Sequence, residues 1–61
     1  MKNKITLKLI DGSTETFKDL DEEQIDVSEH AIGISKVTDT GTLLRVFPMS
    51  SILYADIKEE S

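Results

Sequence analysis

The chain has no cysteine, no tryptophan, one proline and one histidine. Without thiols there is no disulfide, no thiol nucleophile, no iron–sulfur ligand set and no Cys-type zinc site, and such a composition suits a reducing compartment such as the cytoplasm. The lone His30 excludes a histidine pair for zinc and makes any imidazole acid–base role depend on a nearby carboxylate such as Asp26 or Glu29. Gly12, Gly33 and Gly41 lie too far apart to build a phosphate-cradling loop, and neither the P-loop nor the dinucleotide fingerprint occurs. Apolar runs are short, nowhere near the roughly 18 residues of a membrane helix, so no membrane partner is expected. Basic residues are outnumbered 7 to 12 by acids, which gives a net charge of −5. Nucleic-acid binding draws on positive charge to displace counterions, so this balance disfavours RNA or DNA as a partner.

What is present is one small domain. A chain of 61 residues buries only roughly 60% of the surface its unfolded form exposes, so its core is marginal and self-association is the expected remedy. Ile5 to Leu9 alternates strictly, which sets Ile5, Leu7 and Leu9 on one face of a strand and Thr6 and Lys8 on the other. Asp11-Gly12 suits the positive φ angles of a hairpin, and Thr14 to Phe17 returns as a second strand. Asp19 to Glu29 is ambiguous between loop, helix and strand: Asp21 and Gln24 resemble a helix-capping pair, whereas the β-branched Ile25 and Val27 favour a short strand. Ile32 to Val37 is strand-like, Asp39-Thr40-Gly41 a turn, and Leu43 to Phe47 a strand that ends at Pro48. Met49-Ser50-Ser51 makes a tight turn before a last strand over Ile52 to Ile57, followed by a polar tail, 58–61.

Short strands with frequent turns and no long helix predict an all-β domain of five to six strands, either a small antiparallel meander or a closed barrel. Leu43 to Phe47 and Ile52 to Ile57 carry apolar residues at both parities, and strands apolar on both faces call for cover on both. A closed barrel or a subunit interface supplies that cover, and Leu44, Val46, Leu53 and Tyr54 are the candidate interface residues.

The order of Leu7-Lys8-Leu9-Ile10-Asp11-Gly12, a returning strand, a middle pair, and Val46-Phe47-Pro48-Met49-Ser50-Ser51-Ile52 resembles the small Sm-like or SH3-like barrels. The resemblance covers most of the chain through generic hairpin signals. It implies a barrel architecture and, for Sm-like members, rings that bind RNA through an Asn in the middle hairpin and an Arg-Gly pair before the last strand. Neither motif occurs here: the only Asn is Asn3, and Arg45 is followed by Val46. In length, acidity and strand pattern the chain is also similar to small accessory proteins of phages and mobile elements of Gram-positive bacteria, which implies a compact protein that binds or blocks a host factor.

Sites for chemistry are few. Asp19-Leu20-Asp21-Glu22-Glu23 offers acids at positions 1, 3 and 5 of a calcium loop, but Gln24 stands where that loop needs Gly and His30 where it needs a bidentate Glu. Ser50 and Ser51 lack a neighbouring His or Lys and fit better as turn caps than as nucleophiles. Lys2, Lys4 and Lys8 share one face of the first strand with Thr6, a pattern that also serves to keep an edge strand soluble. The remaining feature is the acidic stretch of Asp19 to Glu29, in which Asp21, Glu22, Glu23, Asp26 and Glu29 form a candidate face for docking a basic surface of a host protein. The expected function is therefore a non-enzymatic interaction or inhibitor module without a cofactor. Two alternatives are an Sm-like oligomer that binds nucleic acid and an oligomer that holds a small ligand between subunits.

Overall fold

A computed structural model describes residues 2–60, and they form six strands and two 3-10 turns. The strands are β1 (Lys2–Leu9), β2 (Thr14–Leu20), β3 (Ile25–Val27), β4 (Ala31–Thr38), β5 (Gly41–Pro48) and β6 (Ile52–Glu60). They make two antiparallel sheets, ordered β2-β1-β6 and β3-β4-β5. The domain is all-β as the alternation predicts, but the two sheets remain open and do not close into a barrel. No described helix is long and apolar enough to cross a membrane.

The core lies between the sheets. Ile5 and Leu7 of β1, Leu20 of β2, Ile32 and Ile34 of β4 and Phe47 of β5 are buried, and Leu9, Phe17, Ile25, Met49, Ile52 and Ala55 pack around them. Each fully buried side chain of this size contributes about 1.5–3 kcal/mol. Phe17 meets Phe47 edge to face, with ring centroids 6.1 Å apart, and so joins β2 to β5 across the core.

Local chemistry sets the connections. In the β1–β2 loop the Asp11 carboxylate accepts hydrogen bonds from the Ser13 hydroxyl at 2.6 Å and the Ser13 N–H at 2.9 Å, while Gly12 adopts φ 94°. Those two donors, the hydroxyl first, hold the Asp11 carboxyl below the ordinary carboxylate range. Between β2 and β3 both sequence signals are used. Glu22–Gln24 is a 3-10 turn in which the Asp21 N–H donates to Gln24 Oε1 at 2.7 Å, and Ile25–Val27 follows as strand. The second 3-10 turn, Met49–Ser51, begins after Pro48, and no serine side chain caps it. The hydroxyls of Ser50 and Ser51 therefore do not take the capping role expected of them.

Two features depart from the sequence pattern. β6 continues through Lys58–Glu60, which reads as a tail, because Lys2, Asn3 and Lys4 of β1 supply pairing partners for them; Ser61 of that expected tail lies outside the described residues. In β2 a bulge sets Lys18 and Asp19 against Lys4 alone, between the pairs Ile5–Phe17 and Asn3–Leu20, and Asp19 takes φ 57°. The extra residue turns Leu20 inward, where it is fully buried. Only a residue tolerant of the left-handed region fits at Asp19. Asp19→Val is expected to destabilise the fold by about 1–2 kcal/mol while Asp19→Gly changes it by less than about 0.5 kcal/mol, as read from urea unfolding.

Candidate functional site

Apart from the changes of parity at the register shifts of β2 and β6, each strand gives alternate residues to the core, and the others with the loop ends make the surface. No polar or charged side chain is buried among the described residues, and no group of three or more His, Asp or Glu among them is arranged to hold a metal. His30 sits in an exposed turn with its Nε2 3.3 Å from Glu29. The chemistry available is therefore that of exposed faces, of which three stand out.

The first is an acidic rim. The 3-10 turn after Asp21 projects Glu22 and Glu23 beside the end of β6, and Asp21, Glu22, Glu23, Glu59 and Asn3 line an open depression of about 390 Å³. Glu59 pairs in register with Asn3, on the core side of the first sheet but past the last core residue, so its carboxylate reaches the mouth. Lys2 Nζ lies 3.0 Å from Asp21 and offsets part of this charge. Asp26 and Glu29 do not line the depression. Asp26 is opposite Gly33 on the outer face of the second sheet, and Glu29 occupies the turn with His30. The candidate acidic face thus keeps three of its five residues in one place and gains Glu59, which only the β1–β6 register brings there.

The second surface is the outer face of β2-β1-β6. Lys2, Lys4, Thr6 and Lys8 of β1 stand opposite Glu60, Lys58, Asp56 and Tyr54 of β6, with Thr14 and Thr16 on the β2 side. With Lys18 this side of the sheet holds five of the chain's seven basic residues, so an acidic protein carries one basic face. β1 is the central strand of its sheet, and protection of an edge therefore cannot account for its lysines. Lys4 and Lys58 are directly opposed, a like-charge arrangement that costs stability.

The third surface is apolar. On the outer face of β3-β4-β5, Leu44 and Val46 are 66% and 60% exposed and Val37 is 74% exposed. Tyr54 stands instead beside Lys8 on the outer face of the other sheet, and Leu53 is the extra residue where the β1–β6 register shifts. The four candidate interface residues accordingly fall into two separate pairs on different sheets. The cover that two-sided strands call for does not come from barrel closure.

The chain matches no family model, no curated protein and no solved structure.

The opposed lysines give a direct check on the second surface. Lys58→Glu sets a carboxylate opposite Lys4 but between Asp56 and Glu60, so the check is a double-mutant cycle: in low salt its effect on urea stability is expected to be more favourable by about 0.2–1 kcal/mol with Lys4 present than in Lys4→Ala. An equal effect in both backgrounds would show that Lys4 and Lys58 do not face one another.

Proposed function

We propose that the protein is a non-enzymatic interaction module whose acidic rim docks on a basic surface of another protein and acts by occupying it. The observation that carries this reading is the convergence of Asp21, Glu22, Glu23 and Glu59 around one open depression, on a scaffold whose strand ends hold them in place. Carboxylates grouped this way focus a negative potential, raise the rate of encounter with a cationic surface and disfavour acidic partners. A host enzyme whose nucleic-acid channel is lined with Lys and Arg fits this description, and filling such a channel inhibits without catalysis. An accessory protein of a phage or mobile element is the setting in which such an activity is useful.

A second reading rests on the lysine face. Lys4, Lys8, Lys18 and Lys58 with the half-exposed Tyr54 present cations and one aromatic ring on a flat sheet, a combination suited to a single-stranded nucleic acid. The first reading is favoured because the net charge of −5 opposes approach of a polyanion from most directions.

Titration of a lysine- and arginine-rich peptide against the protein, followed by amide chemical shifts, tests the acidic rim. Binding is expected at Glu22, Glu23 and Glu59, weakening at least about tenfold between roughly 0.05 and 0.5 M salt. The variant Glu22→Lys/Glu23→Lys/Glu59→Lys should weaken binding about tenfold or more at constant salt. Unchanged affinity in the folded variant would overturn the reading, and tight salt-dependent binding of a single-stranded oligonucleotide that is lost in Lys4→Glu would put the second in its place.

A further inference from the structure

The four edge strands differ in how they are protected. β2 carries Glu15, Lys18 and Asp19 and a bulge; β3 is three residues long; β6 carries Asp56, Lys58, Glu59 and Glu60. Charges, bulges and brevity are the usual devices that stop an open edge from pairing with another chain. β5 is the least guarded of the four: it runs eight residues without a bulge, and its only such devices are one charge, Arg45, and a proline, Pro48, at its very end. Arg45 is held on the inner face, 5.2 Å above the Phe47 ring and 3.7 Å from Glu15.

The hydrogen-bond pattern shows what this edge offers. Along an antiparallel pair, successive residues direct their N–H and C=O alternately toward and away from the partner strand. The Met49 N–H donates to the His30 carbonyl at 2.8 Å, and the Ser28 N–H takes the Ala31 carbonyl at 2.9 Å on the β3 side. Ala31 therefore faces β3, its partner Pro48 faces away from β4, and the same parity holds back along β5. Thr42, Leu44 and Val46 direct their backbone groups into the open, and Pro48, which has no N–H, falls at an outward position where β4 loses nothing.

We infer that β5 is a self-pairing edge, and that two copies of the chain join antiparallel across it about a two-fold axis at Leu44. Matching of side-chain faces requires the axis to pass through a residue. An axis at Arg45 sets guanidinium against guanidinium, and one at Leu43 leaves Val46 opposite the Asp39-Thr40 turn. An axis at Leu44 sets Leu44 against its counterpart and Val46 against Thr42, with Arg45 beside Leu43, so no like charges meet. The outward N–H and C=O groups of Thr42, Leu44 and Val46 on the two copies then satisfy one another, and the three-stranded sheet of each copy becomes half of a continuous one. This interface is independent of the acidic rim.

Sedimentation equilibrium over a concentration series, with three proteins, tests the inference. The native chain is expected to form a dimer that strengthens with salt, because each copy carries a charge of −5. Leu44→Lys should raise the dissociation constant at least about tenfold, whereas Val37→Lys, on the same outer face but on the middle strand, should change it less than about twofold. A native chain that stays monomeric, or equal loss from Val37→Lys, would overturn edge pairing. Should Leu44→Lys fail to fold, hydrogen exchange of the native chain decides: the amides of Thr42, Leu44 and Val46 must gain protection as concentration rises, and constant exchange would refute the interface.

Discussion

Six apolar side chains fill the space between two small sheets, and β1 and β4 supply four of them. β1, β4 and β5 each reach that core with one parity only, so placing Ile5, Leu7, Ile32, Ile34 and Phe47 inside fixes what the same strands show to solvent. Lys2, Lys4 and Lys8 must point away from the core on β1, and Leu44 and Val46 must do so on β5. The bulge at Asp19 belongs to the same constraint. Without the extra residue, Leu20 would lie on the lysine side of β2.

The surface is sorted by this geometry. The outer face of the first sheet gathers lysines, the end of the sandwich where β6 passes the 3-10 turn gathers carboxylates, and the outer face of the second sheet is left apolar around Leu44 and Val46. None of the described elements covers the outer face of either sheet, and no described ionisable side chain is taken into the interior. Binding at a face asks only for charge and shape placed on a stiff support, which the paired strands provide. The proposed association of copies across β5 would leave the acidic rim and the lysine face as separate surfaces.

Much of the fold was legible in local sequence. The alternation from Ile5 to Leu9, the Asp11-Gly12 turn, the Asp39-Thr40-Gly41 turn and the β-branched Ile25 and Val27 each led to the element that forms. Alternation reports which side chains share a face, but not which strand lies alongside. For that reason the central place of β1 was hidden, and its lysines read as edge protection. The strand character of Lys58–Glu60 was hidden for the same reason, since it comes from pairing with 2–4 and not from its own composition. Apolar residues at both parities of β5 and β6 called for either a closed barrel or a subunit interface; the sheets remain open, and Leu44, Val46, Leu53 and Tyr54 are exposed. Of the candidate acidic face, Glu22 and Glu23 were visible as neighbours in sequence. Glu59 was not, because register alone brings it to Asp21.

Two open sheets with β1 and β4 at their centres are tested most directly by cross-strand backbone proton contacts, measured by nuclear Overhauser spectroscopy in dilute solution. Contacts are expected that place β1 between β2 and β6 and β4 between β3 and β5, with none from the β5 backbone to β2 or β6. Contacts joining β5 to either of those strands within one molecule, so that the sheets close into a barrel, would contradict the open arrangement.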